Sequence, residues 1–178
     1  MEFRNSLPSD LDAIVSLFHS VFTDAEGEQE GGRIAALVRE MMTTTEHQDL
    51  RGFVAVEAEQ IVGAIFFSRL SFDTQIEASI LSPVAVKTES QGQGIGQKLI
   101  RYGLTQLQDQ HVELVVTYGD PAFYSKVGFR SISPQAIRPP FELSQPEGWL
   151  GQSLNSTPVE EFVGHCQCVA ALSDAAYW

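Results

Sequence analysis

Hydrophobic residues in the first third of the chain recur at the three- and four-residue spacing of amphipathic helices. One series begins after Pro8-Ser9-Asp10, a combination that is typical of a helix start. Its hydrophobic positions are Leu11, Ile14, Val15, Phe18, Val21 and Phe22. A second series consists of Ile34, Leu37, Val38 and Met41, before the helix-ending Thr43-Thr44-Thr45. The pattern predicts two helices joined by an acidic, glycine-containing loop over residues 23–32.

Strand-like hydrophobic runs occupy the middle of the chain. Residues 53–56 and 61–67 are apolar and flank the polar residues 57–60, which predicts two antiparallel strands and a short turn. Residues 76–86 predict a third strand, distorted at Pro83 because proline has no N–H to donate. A helix over 94–108 and a buried strand over 112–117 are predicted next. Such a strand, helix and strand are typical of a parallel crossover.

The last third of the chain begins with a short helix and then loses its periodicity. Asp120-Pro121 predicts the cap and first turn of a helix that carries Phe123 and Tyr124, and Gly128 predicts a left-handed stop. A strand is predicted over 129–132. Five prolines predict an ordered irregular connection over 133–161, or one that contains only short elements, held to the body by Trp149 and Leu150. A last strand is predicted over 162–172.

Composition limits the classes of protein that remain. A length of 178 residues with 43% hydrophobic residues predicts one domain over 1–178, of which 132–178 is the least defined by pattern. No run approaches the ~18–20 apolar residues of a membrane span, and no secretory signal opens the chain, so we expect a cytoplasmic protein that binds no membrane. A net charge of −12 argues against nucleic acid as a partner. It favours a cationic acceptor, and a solvated acidic surface without a role is the other interpretation.

Two features near the end of the chain bear on metals and assembly. Cys166 and Cys168 would face opposite sides of a strand, so we interpret them as buried thiols and not as a disulfide or a metal site. The aromatic residues Trp149, Tyr177 and Trp178 are candidates for a homodimer interface.

The stretch with the most chemical information is the glycine-rich segment before the third helix. Glycines at 92, 94 and 96 leave backbone N–H groups open where a strand leads into a helix, an arrangement that suits a phosphate. An ordinary tight turn is the other interpretation. A dinucleotide fingerprint counted from Gly92 would need glycine at Gln97, and no Gly-Lys-Ser/Thr of a P-loop follows. The spacing therefore disfavours both nucleotide motifs.

Gln91-Gly92-Gln93-Gly94-Ile95-Gly96 resembles the pyrophosphate loop, Q/R-x-x-G-x-G/A, of the GNAT N-acetyltransferase superfamily. The segment from Gly119-Asp-Pro through Tyr124 to Gly128-Phe129 resembles the late helix of that superfamily, and is most similar to its YhbS-like branch. The resemblance covers residues 1–132 well and the remainder loosely. It implies an α/β, single-domain GNAT fold: a mixed central sheet with splayed fourth and fifth strands and helices on both faces.

The resemblance also implies a cofactor, acetyl-CoA, and a set of residues that bind it. Residues Gln91, Gly92, Gln93, Gly94, Ile95, Gly96 and Gln97 would hold the pyrophosphate, with Lys87 or Lys98 nearby. The main chain of Val84, Ala85 and Val86 would contact the pantetheine arm, and an N–H near Val84 would stabilise the oxyanion. Tyr124 would contact the cofactor and act as general acid, because a phenol with a pKa of about 10 stays protonated at neutral pH.

The acceptor and the general base are the least determined parts of this hypothesis. The expected reaction is direct attack of a primary amine, on a small molecule or a peptide, at the thioester. Glu77 is the predicted base, with Asp73 and Glu57 as further candidates. A YhbS-like histidine after the glycine of the third strand is replaced here by Ala64. The alternatives are an acyl-CoA-binding sensor or regulatory module without turnover, and a nucleotide-binding α/β protein.

Overall fold

The strands and helices follow the order expected of an α/β protein. The computed structural model describes all residues from Met1 to Trp178. Its strands are β1 (Glu2–Asn5), β2 (Leu50–Glu57), β3 (Gln60–Phe72), β4 (Ala78–Val86), β5 (Leu114–Tyr118), β6 (Arg130–Ser131), β7 (Ile137–Arg138), β8 (Trp149–Ser153) and β9 (Gly164–Gln167). Its α-helices are α1 (Leu11–Glu26), α2 (Glu28–Thr44), α3 (Ile95–Asp109) and α4 (Pro121–Tyr124). None of these helices has both the length and the hydropathy of a membrane span.

The chain divides into two units, each with its own internal packing. The first unit consists of Met1–Phe67 and Pro83–Gly103, and the second of Ser68–Ser82 and Leu104–Trp178. In sheet order, β1, β2, β3 and β4 are neighbours, and β4 is followed by β5, β8 and β6. β1 pairs with β2 antiparallel, whereas β4 pairs with β5 parallel, so the sheet is mixed as predicted. The prediction of one domain over residues 1–178 stays a prediction.

The predicted acidic loop over residues 23–32 is wrong. α1 continues to Glu26, Gly27 alone separates the helices with a φ of +98°, and α2 begins at Glu28. Glu28 and Glu30 lie in the first turn of α2, where negative charge is favourable beside the partial positive charge of the helix end. Position 31 inside α2 is occupied by glycine because a Cβ there would lie 2.0 Å from Thr23 Oγ1 of α1. Glycine here permits close packing of the two helices and does not mark a loop.

Of the two alternatives for residues 133–161, the one with short elements is confirmed, although the position of the five-residue strand β8 was not predicted. β8 pairs antiparallel with the whole of β5, from Leu114 opposite Ser153 to Tyr118 opposite Trp149. Pro146 and Pro158 flank this strand and do not interrupt it. Trp149 is fully buried and its Nε1–H donates to the carbonyl of Ile137 at 2.9 Å, which confirms that it holds the segment in place.

The end of the chain is packed differently from its prediction. The strand expected over 162–172 is limited to β9, followed by short 3-10 turns. Trp178 is 7% exposed and stacks 6.5 Å from Tyr118, centroid to centroid. Trp149 and Trp178 are therefore not available as interface residues, which corrects that part of the prediction, whereas Tyr177 is partly exposed. Cys166 is buried and Cys168 partly exposed, and both are free thiols.

Candidate active site

The glycine-rich segment of the first unit forms a tight corner between β4 and α3. The Lys87 N–H donates to the carbonyl of Val62 at 2.8 Å, and the Lys87 carbonyl accepts the Ser90 N–H at 2.8 Å. Gly92 and Gly94 have φ values of +75° and +76°, a left-handed conformation that costs other residues about 1–2 kcal/mol. A Cβ at either glycine would meet nothing within 4 Å. Backbone conformation, and not lack of space, therefore requires glycine at both positions.

Open backbone donors follow directly after this corner. The helical ladder of α3 begins with the bond from the Lys98 N–H to the Gly94 carbonyl, at 3.1 Å. The N–H groups of Ile95, Gly96 and Gln97 thus have no intrahelical partner, and they carry the positive end of the helix dipole. Such groups are suited to bind the oxygens of a phosphate.

The side chains around this corner mainly support its shape. Gln91 Nε2 donates to the carbonyl of Val86 at 3.0 Å, so the amide braces the end of β4. Lys87 Nζ lies 2.8 Å from a Glu89 carboxylate oxygen, which partly neutralises this cation, and the hydrogen bond lowers the pKa of Glu89. Lys98 is exposed on the first turn of α3. Backbone dipoles are therefore the main attraction that the corner offers an anion.

The strand before the corner separates from its parallel neighbour over its second half. The parallel register between β4 and β5 runs from Ala78 opposite Leu114 to Leu81 opposite Thr117 and ends there, although β4 continues to Val86. Pro83 follows soon after this end, as expected of a residue without an N–H. Ala85 is 2% exposed, whereas Val84 and Val86 are partly exposed. The predicted splay of the fourth and fifth strands is confirmed.

Tyr124 in the second unit is held by its own helix and by aromatic neighbours. Asp120 caps α4 by accepting the Ala122 N–H at 2.8 Å, and Gly128, with a φ of +98°, ends the turn, as predicted. The Tyr124 ring lies 5.7 Å from that of Phe129, centroid to centroid, at 74°. A Cβ at Gly119 would approach Tyr124 Cε2 to 2.7 Å, so glycine lets the backbone lie against the ring.

Burial raises the pKa of the Tyr124 phenol above its ordinary value, the neighbouring Thr117 side chain opposes that effect, and the Asp120 charge adds to it. Thr117 is fully buried, and its Oγ1 donates to the carbonyl of Leu81 at 2.9 Å. Tyr124 is therefore protonated at neutral pH. Thr117 was missed by the sequence analysis because it lies in a hydrophobic run with no motif of its own.

Glu77 lies in a different part of the second unit. It precedes β4, is exposed, and has a carboxylate oxygen 3.7 Å from Arg69 Nη2. Its backbone N–H donates to a Glu113 carboxylate oxygen at 3.1 Å. Four residues of extended strand, about 13 Å, separate Glu77 from Leu81. The assignment of Glu77 as general base stays a prediction, and its position at the start of β4 argues against it.

Comparison with known proteins agrees with this geometry. Residues 48–131 match the family model described as an acetyltransferase (GNAT) domain. The "Uncharacterized N-acetyltransferase YjhQ" of Escherichia coli K12 is 32% identical over 113 residues, which cover 60% of this chain and 62% of that protein. The "Uncharacterized N-acetyltransferase YhbS" of the same strain is 34% identical over 89 residues, or 49% and 53% of the two chains. The chain thus spans less than two thirds of the length of these curated relatives.

Solved structures extend the similarity over nearly the whole chain. The YhbS GNAT-family N-acetyltransferase of Escherichia coli, solved in complex with CoA, has a TM-score of 0.83 and 25% identity, covering 97% of this chain and 92% of that one. A GNAT-family acetyltransferase of Brucella melitensis in complex with acetyl-CoA has a TM-score of 0.71 and 26% identity, covering 96% and 97%. Taken together with the glycine corner and the splayed strands, these similarities support membership of the GNAT acetyltransferase family, in its YhbS-like branch.

Proposed function

We propose that this protein transfers an acetyl group from acetyl-CoA to a primary amine by direct attack of the amine on the thioester. The observation that carries the proposal is the corner at Gly92 and Gly94, whose left-handed backbone leads into the unpaired N–H groups of α3. Two similar proteins were solved with CoA or acetyl-CoA bound, which supports the choice of cofactor.

The residues of the first unit fit the proposed cofactor. The N–H groups of residues 92–97 would hold the pyrophosphate, and the open edge at Val84 and Val86 would hydrogen-bond the pantetheine arm. Acetyl-CoA supplies an activated acyl group, and the role of these residues is to hold it in one orientation. A backbone N–H near Val84 would stabilise negative charge on the thioester oxygen.

Tyr124 is the proposed general acid. The leaving group of this reaction is a thiolate, which departs more readily when it receives a proton. Tyr124 has a proton to give, because burial keeps its phenol neutral at physiological pH. Phe123 and Phe129 fix the orientation of its ring.

The proposed acceptor is an amine that loses its proton easily. A lysine-type amine with a pKa of about 10.4 is handicapped by ~4 kcal/mol near neutral pH, whereas an α-amine with a pKa near 8 loses only ~1 kcal/mol. The position of Glu77 at the start of β4 argues against it as the base, and without a base an α-amine or another weakly basic amine fits better than a lysine side chain. The net charge of −12 favours an acceptor that carries positive charge elsewhere.

The same position of Glu77 favours a second candidate function, a CoA-binding sensor without turnover. Release of free thiol from acetyl-CoA separates the two. We would assay a panel that contains glycinamide, an α-amino dipeptide, spermidine and a lysine with a blocked α-amine. The proposal expects thiol release well above the amine-free rate with at least one member, and acetylated product in equal amount. Tight CoA binding with no amine-dependent release from any member would instead support the sensor.

A further inference from the structure

Thr88 connects the glycine corner to the first helix. It begins the 3-10 turn Thr88–Ser90, which follows β4 and leads towards Gly92. Its Oγ1 donates a hydrogen bond to Asp24 Oδ2 at 2.6 Å. Asp24 lies in the last turn of α1, 64 residues earlier in the chain, and both residues belong to the first unit. The hydrogen bond therefore joins the approach to the corner to a helix that is distant in the sequence.

This hydrogen bond is of a strong type in an exposed place. A hydroxyl that donates to a carboxylate over about 2.5–2.7 Å forms a charge-assisted bond, which is stronger than a bond between neutral groups. The side chains of Thr88 and Asp24 are both exposed, and an exposed contact with a charged group contributes little to the free energy of unfolding. Loss of the bond should therefore leave the protein folded. Its main effect should fall on the position of the turn.

The turn Thr88–Ser90 has few other contacts that fix its position. Thr88 and Glu89 are exposed, so packing holds only Ser90. The other hydrogen bonds of the turn are local: the Ser90 N–H donates to the Lys87 carbonyl at 2.8 Å, and the Thr88 carbonyl accepts from the first N–H after the turn at 3.3 Å. Such bonds preserve the shape of the turn, whereas the bond to Asp24 fixes its position against α1.

The position of the turn affects where the corner presents its donors. Gly92 and Gly94 follow the turn closely, and the unpaired N–H groups in the first turn of α3 come next. A diphosphate binds most tightly to donors that already point at one place, because ordering them on binding costs conformational entropy. A turn that is free to move would spread these donors over several orientations. The hydrogen bond to Asp24 thus prepares the corner for its ligand.

We propose that Thr88 is a positioning residue for CoA, whose hydroxyl, held by Asp24, fixes the turn that presents the glycine corner to the diphosphate. The inference rests on the proposed function, because it takes the corner as the CoA site. Neither side chain needs to touch the cofactor. The Asp24 carboxylate would by itself repel a diphosphate, so its benefit comes through the Thr88 hydroxyl alone.

A surface contact without consequence for binding is the competing explanation. Calorimetric titration of CoA into Thr88→Val, Thr88→Ser, Asp24→Ala and the double variant Asp24→Ala/Thr88→Val separates the two. Asp24→Ala removes a repelling charge as well as the hydrogen bond, so the informative quantity is the effect of Thr88→Val with and without Asp24. Glu26→Ala is the matched control, because Glu26 carries the same charge in the same turn of α1 but forms no hydrogen bond with Thr88.

The positioning role predicts one pattern of affinities. Thr88→Val should raise the Kd for CoA about fivefold in the wild type and in Glu26→Ala, and should have no effect in Asp24→Ala. Thr88→Ser, which keeps the hydroxyl, should stay within about twofold of the wild type. Thermal unfolding would establish that every variant is folded at the titration temperature. An equal rise in Kd in all three backgrounds, or no rise in any, would overturn the inference. A wild type that does not bind CoA would instead overturn the proposed function.

A second measurement needs no cofactor. Amide hydrogen exchange of the free protein, followed by NMR, would report on the turn through the Ser90 N–H, which is hydrogen-bonded to the Lys87 carbonyl. Thr88→Val should accelerate this exchange about fivefold, and Thr88→Ser should not. The Gly128 N–H, hydrogen-bonded to the Ser125 carbonyl in the second unit, should exchange at one rate in all variants. Unchanged exchange at Ser90 in Thr88→Val would contradict the inference whether or not the wild type binds CoA.

Discussion

Asp10 shows how a single side chain connects the start of the chain to its first helix. Its Oδ2 accepts hydrogen bonds from Arg4 Nη1 at 2.7 Å and from the Leu7 N–H at 2.8 Å. The hydrogen bond from Arg4 lowers the pKa of the Asp10 carboxyl, and the same bond raises the pKa of Arg4. The carboxylate thus caps the first turn and holds β1 beside it.

Asp10→Asn should destabilise the fold in a pH-dependent way. A carboxyl group whose pKa is lowered by folding stabilises the folded state at pH values above its ordinary pKa. This contribution is lost as the pH falls through the lowered pKa. We expect a loss of about 1–2 kcal/mol near pH 7 that shrinks towards zero below about pH 3, measured by urea unfolding. The control is Asp12→Asn, because Asp12 is 90% exposed and its only ion pair, to Arg39, is 3.3 Å long. Equal effects of both variants at both pH values would contradict this account.

Tyr124→Phe should separate chemistry from binding. The variant keeps the ring contacts with Phe123 and Phe129 but has no proton for the thiolate. We expect kcat to fall about 100-fold, with the Kd for CoA within about twofold of the wild-type value. Steady-state kinetics with the best panel amine and calorimetry with CoA would measure these effects. A variant that binds CoA far more weakly would show that Tyr124 serves mainly to hold the cofactor.

Among the helices, α2 contains two neighbouring glycines that look equivalent in the sequence but differ in how closely they pack against α1. A Cβ at Gly31 would lie 2.0 Å from Thr23 Oγ1 and 2.7 Å from the carbonyl of His19, whereas a Cβ at Gly32 would meet nothing within 4 Å. Hydrophobic spacing predicted both helices, but a Gly-Gly pair beside acidic residues was interpreted as a loop. Whether this pair forms a loop or part of a helix depends on the contact between α1 and α2, which the local sequence does not encode.

Alanine at these two positions should have opposite effects on stability. Gly32→Ala should stabilise the protein by about 1 kcal/mol, because alanine is the better helix former at an exposed site. Gly31→Ala should destabilise it by about 1–3 kcal/mol, because the methyl group forces the helices apart. Thermal or urea unfolding would compare the two variants with the wild type. A stabilising Gly31→Ala would contradict the close packing described here.

For the whole molecule, the sequence predicted the features that depend on local chemistry. The corner at Gly92 and Gly94 and the cap at Asp120 follow from backbone conformation and from local hydrogen bonds, and both were found at the predicted residues. Short elements were allowed for over residues 133–161, but β8 could not be located among them because its strand forms through pairing with a distant segment, β5. Thr117 was missed for a similar reason, since its hydroxyl meets the Leu81 carbonyl only in the fold.

The net charge of the protein should affect binding of the acceptor more than binding of the cofactor. An overall charge of −12 attracts cations at long range, and added salt screens that attraction over about 10 Å at 0.1 M. If spermidine is a substrate, its KM should rise several-fold between about 0.05 and 0.3 M salt. The KM of an uncharged amine should change less than twofold over the same range, and kcat should change for neither. A KM for spermidine that is insensitive to salt would exclude the charge as a recognition element.

The central claim, that the corner at Gly92 and Gly94 holds the diphosphate of CoA, is tested most directly by calorimetric titration of CoA into the wild type, Gly94→Ala and Gly32→Ala. A methyl group at Gly94 strains a φ of +76° and displaces the open N–H groups, whereas Gly32 lies exposed in α2. We predict that Gly94→Ala weakens CoA binding at least about tenfold, that Gly32→Ala binds like the wild type, and that ATP and NAD bind far more weakly than CoA. Undiminished CoA binding by a folded Gly94→Ala, or a preference for ATP or NAD, would contradict the account.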